Sequence, residues 1–507
     1  MSLALLLCLP ALLSPQDGKD TIRDFKRYFR KITETWERVE AVKALEQIDD
    51  PQVARLLVPV LRDKDRRVAD AAIEVLGQLP SETARQPLRE VLAKSSDRRE
   101  VSGVLRAVSR GGWKEFAPLV REQFENGEAG VRVWAATAAA RLKDAEALPA
   151  LAEMAREDDN DLVRVAAVDA LGALGKGREE AAGPPLVAAL NDPALEVQTA
   201  ACLALHKVRV KEAVPVLIDL LENGKGRILE QVYPALIAVT DLQFVDDPAL
   251  WRRWWAKAGD SYRVPTEAEI AKRRVARRKA NAQYRPSQSE ASFMGIDTTS
   301  TRVVFIIDVS GSMQDYVVNR DGFKQRGFTR FGKLDIVKEE LLRTVQNLDT
   351  SVSFNILSFA TKVRPWKKRL VQANALNRRS AAAWVRKLKP IGGSSARGLA
   401  SAGLSGSSGL EEGRTNTYAA LLAGLGVTGG EDPAAKVKSD LDTVFFLSDG
   451  RPSVGELVDP DDILEAITGL NRFRRVTLHT IAIGEFQKDF MTDLARQNGG
   501  MFVDLGG

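Results

Sequence analysis

Oxygen-bearing side chains follow two apolar runs of this chain and mark the place where it could do chemistry. Asp308, Ser310 and Ser312 come directly after the first run, and Asp449 comes after the second. Thr415 lies between them in the sequence. Alternate spacing lets the first three side chains converge from a tight loop. Two carboxylates and three hydroxyls form an all-oxygen set, which suits Mg²⁺, with Mn²⁺ or Ca²⁺ as alternatives.

Strands and helices must alternate around these residues to bring them together. From residue 302 onward, short β-branched runs alternate with amphipathic helical patterns, which predicts an α/β Rossmann-like domain. Its central sheet is expected to be mostly parallel, with helices on both faces. Ligands in such sheets bind beyond the carboxyl ends of the strands, where Asp308 and Asp449 fall. The predicted strands cover residues 303–307, 352–359, 363–371, 443–447, 476–483 and 501–505, and the predicted helices cover residues 331–348, 376–388, 418–427, 461–470 and 490–497.

The order and spacing of these motifs resemble a von Willebrand factor type A (vWA) domain with a metal-ion-dependent adhesion site (MIDAS). The resemblance covers residues 300–507 and rests on Asp-x-Ser-x-Ser from Asp308, the Gly-Arg-Thr-Asn-Thr segment around Thr415, and Ser-Asp-Gly around Asp449. It implies that Ser310, Ser312 and Thr415 offer hydroxyls to the metal. Asp308 and Asp449 would act directly or through water. A Glu or Asp carboxylate of a protein partner would complete the shell.

Two features of this sequence depart from the family pattern. Arg414 stands where the family usually has a second glycine, which leaves both Thr415 and Thr417 open as the hydroxyl ligand. Insertions at residues 314–329 and 392–413 flank the predicted metal loops. Because both insertions are expected near the metal, either could set specificity.

The first half of the chain repeats a helical pattern about every 30 to 34 residues. Spacings of three, four, seven, eight and eleven place the apolar or small residues on one helical stripe, and such a unit must stack on its neighbours to bury it. The pattern resembles HEAT repeats and predicts an all-α solenoid over residues 20–262, closed by a capping helix with Trp251, Trp254 and Trp255. Three copies of the stripe are Val68, Ala71, Ala72, Val75, Leu76, Leu79; Val163, Ala166, Ala167, Ala170, Leu171, Leu174; and Val197, Ala200, Ala201, Ala204, Leu205, Val208.

Residues 263–299 are predicted to be a basic linker, helical at first and flexible from about residue 285. A solvated connecting helix is one interpretation of this linker, and contact with phosphates or an acidic partner is the other. The amino-terminal residues 1–18 contain an apolar run of signal-peptide length, which predicts export to the periplasm, the cell surface or the medium. A buried amino-terminal helix in a cytoplasmic protein stays open as the alternative. No later run is long enough to predict a transmembrane helix.

Scarce cysteine and histidine restrict the function classes. The chain has two cysteines and two histidines, which excludes a disulfide scaffold and a Cys/His zinc cluster. His206 and His479 lie in apolar patterns, which indicates packing or edge residues rather than general bases, so we predict no catalytic site and no enzyme activity. A net charge of +5 over 507 residues does not favour nucleic acid as a partner.

We therefore predict a multidomain protein that binds another protein. The α-helical solenoid would act as a scaffold that binds a second protein, and the vWA domain would act as an adhesion module that binds a partner carboxylate through Mg²⁺. One alternative is a non-catalytic partner subunit of an ATPase in a chelatase-like complex. Another is polyanion binding through the basic linker.

Overall fold

The computed structural model describes residues 15–242, 244–273, 292–293, 296–297, 300–392, 413–427, 441–483 and 488–505. The chain divides into two compact units, Met1–Val210 and Lys211–Gly507. Within the described residues, no helix is both long and apolar enough to cross a membrane.

The first unit consists of helices joined by short turns, as expected for an all-α repeat. Polar side chains start many of these helices, because an Asp, Ser or Asn oxygen can accept an otherwise unpaired backbone amide. Asp50, Asp65, Ser81, Asp97 and Asn160 all cap helices in this way. The helices are α1 (Pro15–Tyr28), α2 (Thr35–Lys43), α3 (Pro51–Leu57), α4 (Arg66–Leu76), α5 (Glu82–Lys94), α6 (Arg98–Gly111), α7 (Ala117–Glu122), α8 (Ala129–Leu142), α9 (Leu148–Glu157), α10 (Asp161–Leu174), α11 (Glu179–Ala189) and α12 (Leu195–Leu205), with 3₁₀ turns at Phe29–Lys31, Val58–Arg62, Lys114–Phe116, Gln123–Glu125 and Ala145–Ala147.

The predicted helical stripes form the core of this unit. All residues of the three stripe copies named above are buried. Small residues let neighbouring helices approach closely: a methyl group on Gly172 of α10 would lie 2.7 Å from the Cβ of Ala204 in α12. The stripe therefore stacks helix on helix, as the repeat pattern predicts.

Buried ion pairs join successive repeats. Arg132 of α8 holds Asp158 through two hydrogen bonds of 2.7 and 2.8 Å, and Arg164 of α10 holds Asp192 through two of 2.8 and 2.9 Å. The Arg164 and Asp192 side chains are only 12% and 9% exposed. Each arginine follows the first valine of its stripe, so the same sequence position connects one repeat to the next.

The second unit begins with three helices, α13 (Ala213–Asn223), α14 (Ile228–Thr240) and α15 (Pro248–Ala258). Trp251 of α15 is fully buried, and its indole N–H donates to the carbonyl of Val245 at 2.9 Å. Its ring packs edge-on against Phe244 and Trp254. The capping role of this helix stays a prediction. Before α14, the buried Arg227 donates to the backbone carbonyl of Asp442 at 3.0 Å.

A seven-stranded sheet forms the rest of this unit, with strand order β5-β4-β3-β7-β8-β9 and β6 paired to β4. The strands are β1 (Ser292–Phe293), β2 (Ile296–Asp297), β3 (Arg302–Asp308), β4 (Ser353–Phe359), β5 (Val363–Pro365), β6 (Val371–Gln372), β7 (Thr443–Ser448), β8 (Thr477–Ala482) and β9 (Phe502–Asp504), of which β1 and β2 form a separate hairpin. The helices are α16 (Arg320–Gln325), α17 (Lys333–Asn347), α18 (Ala375–Lys387), α19 (Thr417–Gly424), α20 (Pro460–Arg474) and α21 (Lys488–Gln497), with a 3₁₀ turn at Gly311–Gln314.

Alternate residues of the central strand β3 face two different hydrophobic clusters. Phe305 packs with residues of α17 and α18, whereas Ile306 packs with residues of α19, α20 and α21. Helices therefore cover both faces of the sheet. The strands β3, β4, β7, β8 and β9 run parallel to their neighbours. The predicted α/β Rossmann-like architecture with a mostly parallel sheet is confirmed.

Local details differ from the sequence predictions. The predicted strand at residues 363–371 is two short strands, β5 and β6. Both run antiparallel to β4, because the chain reverses at residues 360–362 and β6 continues in the direction of β5. The segment predicted to be flexible from residue 285 contains the hairpin β1–β2. The insertion at residues 314–329 includes α16, and its Phe323 and Phe328 are buried in the domain core. Most of the basic linker and of the insertion at residues 392–413 lies outside the described residues.

Candidate metal centre

The carboxyl ends of the neighbouring strands β3 and β7 bring Asp308 into contact with Ser448. β3 and β7 are parallel neighbours with Ile307 opposite Leu447, so Asp308 and Ser448 leave the sheet side by side. The fully buried Asp308 carboxylate accepts hydrogen bonds from the Ser448 hydroxyl at 2.5 Å and from the backbone amide of Ser310 at 2.8 Å. These bonds fix the carboxylate at the mouth of the sheet and start the loop that follows.

The three predicted hydroxyls surround one small space. The Oγ atoms of Ser310 and Ser312 lie 3.2 Å apart, and Ser312 donates to Oδ1 of Asp449 at 2.7 Å. A methyl group on Gly450 would lie 3.1 Å from Oγ1 of Thr415, 3.4 Å from Oγ of Ser312 and 3.8 Å from Oγ of Ser310. The hydroxyls of three separate positions therefore converge beside Gly450, and the lack of a side chain there keeps the space open.

Backbone contacts hold Thr415 at this space. Its amide donates to the Ser453 hydroxyl at 2.9 Å, and its carbonyl accepts from the Ser453 amide at 2.9 Å. The preceding Gly413 accepts from the amide of Gly311 at 3.1 Å, which ties this segment to the Ser310–Ser312 loop. A methyl group on Gly413 would lie 2.4 Å from the carbonyl oxygen of Ile391, so any side chain here would have to displace the backbone at Ile391.

Asp449 forms a buried ion pair with Lys333. Its side chain is fully buried, and Nζ of Lys333, at the start of α17, lies 2.7 Å from its Oδ2. Burial first, and then the negative charge of Asp449, raise the pKa of Asp308 to about 7. The two buried carboxylates thus repel one another, and Lys333 places a positive charge against Asp449.

A pocket of about 410 Å³ opens above the converging oxygens. Ser310, Ser312 and Thr415 line it, together with the exposed Arg414 and Arg451. Thr417 is buried at the first position of α19 and does not line the pocket. Of the two threonines left open by the sequence, Thr415 is therefore the one that the fold directs to the other hydroxyls.

The donor set fits a hard divalent cation. Three hydroxyls share one space, Asp449 is hydrogen-bonded to one of them, Asp308 is bonded to the amide of Ser310, and all the side-chain donor atoms are oxygens. Within the described residues, no group of three or more His, Cys, Asp or Glu side chains could hold a metal, so a softer site is not formed there. The assignment of these residues as metal ligands stays a prediction.

Sequence reasoning missed three residues of this site. Ser448 is part of the Ser-Asp-Gly motif, and its pairing with Asp308 follows from the register of two neighbouring strands. Ser453 and Lys333 carry no sequence signal, because each depends on how a loop or helix folds back to the sheet.

Neither histidine lines the pocket. His479 of β8 stacks on Phe445 with ring centres 4.9 Å apart, and its Nδ1 accepts from the amide of Met501 at 3.0 Å. Burial lowers its pKa from 6.5 to about 4. Desolvation also lowers the pKa of His206, at the end of α12. His479 is therefore a packing residue, as its apolar sequence context indicates, whereas the His206 side chain is exposed at the end of its helix.

Comparisons with known proteins agree with this architecture. Residues 31–109, 102–172, 117–205 and 170–237 match HEAT repeats, and residues 329–504 match a von Willebrand factor type A domain. The second match includes Thr415 and Asp449 and begins after the Asp308 motif.

Curated relatives match about two fifths of this chain. Inter-alpha-trypsin inhibitor heavy chain H4 of Homo sapiens is 24% identical over 213 residues, which is 41% of this chain and 18% of that protein. Inter-alpha-trypsin inhibitor heavy chain H1 of Mesocricetus auratus is 26% identical over 205 residues, which is 40% of this chain and 18% of that protein. This chain therefore spans less than a fifth of the length of these relatives.

A solved von Willebrand factor type A structure from Catenulispora acidiphila is 17% identical, with a TM-score of 0.27, and the match covers 41% of this chain and 39% of that one. The repeat matches, the domain match and the observed α/β sheet together identify the chain as a HEAT-repeat protein with a carboxyl-terminal von Willebrand factor type A domain.

Proposed function

We propose that this protein binds Mg²⁺ in its vWA domain and uses the ion to hold a carboxylate of a protein partner. One observation carries the proposal: Ser310, Ser312 and Thr415 converge on one space beside two buried carboxylates. An all-oxygen set of this size leaves room for an outside ligand on Mg²⁺, and Mn²⁺ or Ca²⁺ could take its place.

Each residue has a separate role in this proposal. The hydroxyls of Ser310, Ser312 and Thr415 bind the ion, and Asp449 and Asp308 balance its charge directly or through water. The bound ion supplies an electrophilic centre for an Asp or Glu side chain of the partner. Because most of the protein ligands are neutral, the ion keeps much of its attraction for that incoming carboxylate.

A binding role rather than catalysis is part of this proposal. The pocket offers hydroxyls and arginines, and neither histidine lines it. The HEAT repeats would present a second protein-binding surface, so the chain would act as a scaffold with a metal-dependent head. Export, predicted from the apolar amino-terminal run, belongs to the same proposal, and sequencing the mature amino terminus from the native host tests it.

Selection from a random peptide library tests the proposal directly. The full chain is immobilised, the library is bound in excess Mg²⁺, and retained peptides are eluted with EDTA. We expect the eluted peptides to share an Asp or Glu at one position, and we expect Thr415→Val to lose them because valine removes the hydroxyl at nearly constant volume.

Thr350→Val is the matched control. Thr350 is exposed in the turn before β4, at the amino-terminal end of that strand, whereas the proposed metal site lies beyond the carboxyl ends of the strands. The Thr350→Val variant should retain the same peptides as the wild type. Peptides that EDTA releases but that carry no acidic residue would contradict the proposed carboxylate, and the absence of EDTA-released peptides would contradict the metal-dependent site.

A further inference from the structure

The pocket above the proposed metal is larger and more basic than one carboxylate requires. Its volume of about 410 Å³ lies within the range of roughly 300–1,000 Å³ that is typical of sites for whole small ligands. Its floor is formed by hydroxyls, whereas Arg414 and Arg451 line it as exposed cations. Each arginine lies within two residues of a proposed metal ligand, so the backbone keeps both close to the ion.

The positive charge continues from the pocket along the edge of the sheet. The Thr361 hydroxyl donates to the carbonyl of Arg414 at 3.5 Å, and the amide of Asn416 donates to the carbonyl of Ala360 at 3.0 Å. The turn after β4 therefore touches the loop that carries Arg414. We call residues 361–373, which follow from this turn through β5 to β6, the basic edge segment.

All charged side chains of the basic edge segment are positive. It contains five cations and no acidic residue: Lys362, Arg364, Lys367, Lys368 and Arg369. All except the partly buried Lys367 are exposed, and β5 is the outermost strand in the order of the sheet. No carboxylate in the described part of the chain forms an ion pair with any of the five. These charges are therefore available to an anionic partner.

We propose that the partner presents an acidic segment with several carboxylates rather than a single acidic side chain. One carboxylate binds the metal, the next lies between Arg414 and Arg451, and further ones follow the basic edge segment. This inference rests on the proposed function, because the metal sets where the segment starts. The short distance along the chain from each arginine to a metal ligand favours neighbouring carboxylates of one peptide over two separate partners.

Synthetic peptides test this inference on the full chain. Three fluorescein-labelled peptides of glycine and serine carry one Glu, four consecutive Glu, or four Gln, and their binding is followed by anisotropy in Mg²⁺ and in EDTA at constant ionic strength. We expect the four-Glu peptide to bind at least about tenfold more tightly than the one-Glu peptide in Mg²⁺, because each exposed ion pair adds a modest increment. The four-Gln peptide should not bind.

Charge-neutralising variants assign the effect to the pocket. The double variant Arg414→Ser, Arg451→Ser should reduce the ratio between the two affinities towards one. Arg379→Ser is the control, because it removes the same type of charge at an exposed position. The neighbouring Arg378 donates to the carbonyl of Leu348 at 2.9 Å, so Arg379 lies near the start of β4, whereas the pocket lies beyond the carboxyl ends of the strands. This control should leave the ratio as in the wild type.

Three results would overturn the inference in distinguishable ways. Equal, Mg²⁺-dependent affinities for the one-Glu and four-Glu peptides would refute the acidic segment and leave the proposed function standing. Binding of neither peptide in Mg²⁺ would refute the proposed function itself. Four-Glu binding that survives EDTA, with equal binding of a single-stranded DNA oligonucleotide, would make the basic edge segment a general polyanion site.

Discussion

Lys333 is predicted to compete with the metal for Asp449. Its ammonium lies 2.7 Å from Oδ2 of Asp449, and the two side chains are only 14% and 0% exposed. In the metal-free protein this lysine neutralises a buried carboxylate. When a divalent ion occupies the site, the same positive charge opposes it. Replacing Lys333 by methionine, which keeps much of the side-chain length without the charge, should therefore have opposite effects on stability and on metal affinity.

The magnitude follows from the burial of this pair. Removing one partner of a buried ion pair costs about 3–5 kcal/mol, and the partial exposure of Lys333 points to the lower end. We expect Lys333→Met to lower the free energy of unfolding by about 3 kcal/mol without metal. If Mg²⁺ compensates about half of this loss by neutralising Asp449 itself, linkage makes its affinity about tenfold higher in the variant.

Two measurements on the full chain check this prediction. Urea unfolding with and without Mg²⁺ gives the change in stability, and calorimetric titration gives the change in affinity. Lys387→Met serves as the control because Lys387 is exposed at the end of α18. Equal or weaker Mg²⁺ binding by Lys333→Met, with the unfolding slope unchanged, would refute the competition and make Lys333 a residue that positions Asp449 for the metal.

Three further predictions follow from buried groups. Arg164→Met should lower the free energy of unfolding by about 3 kcal/mol in urea, because it leaves the Asp192 carboxylate without its buried partner. Protonation of His479 in the unfolded state should remove roughly 3 kcal/mol of stability between pH 6.5 and pH 4, whereas the raised pKa of Asp308 acts in the opposite direction over the same range. The difference between the urea curves of the wild type and His479→Gln in a pH series, in which the Asp308 contribution cancels, should show the His479 loss. Gly413→Ala should cost about 1–3 kcal/mol in urea and weaken Mg²⁺ binding in calorimetry, because its methyl group would collide with the Ile391 carbonyl.

Each of these predictions has a control and an opposing result. Arg156→Met removes an exposed arginine and should change stability little, so an equal loss in both variants would contradict a special role for the buried pair. An unchanged pH dependence in His479→Gln would show that other groups cause the acid effect. Gly469→Ala adds a methyl group where no atom lies within 4 Å, and it should not destabilise the protein. Normal stability and Mg²⁺ affinity of Gly413→Ala would refute the tight approach at Ile391.

Most of the fold could be predicted from the periodicity of the apolar residues and from the positions of the strand ends. The stripe that begins at Val163 is buried along its whole length, because helical spacing alone fixes which residues share a face. Asp308 and Asp449 were predicted to lie together because parallel neighbouring strands end at the same edge of a sheet, and the pairing of β3 with β7 places them there.

Contacts made by segments that fold back onto the sheet could not be predicted from periodicity or from strand ends. Lys333 begins a helix that follows an insertion, and nothing in its neighbourhood distinguishes it from other lysines before the helix meets Asp449. The hairpin β1–β2 lies in a polar stretch without alternating hydrophobic residues, so only its pairing identifies it. Arg414 departs from the family pattern, and its exposed position beside the pocket depends on the neighbouring loop of Ala360 and Thr361.

Calorimetric titration of the full chain with Mg²⁺ tests the central claim most directly, with Asp308→Asn beside the wild type. Asparagine keeps the volume of the buried side chain and removes its charge, and Asp349→Asn makes the same change at the exposed turn before β4. We predict that the wild type and Asp349→Asn bind one Mg²⁺ per chain, whereas Asp308→Asn, folded by its thermal transition, does not. Equal Mg²⁺ binding by all three proteins, or none by the folded wild type, would contradict the metal site.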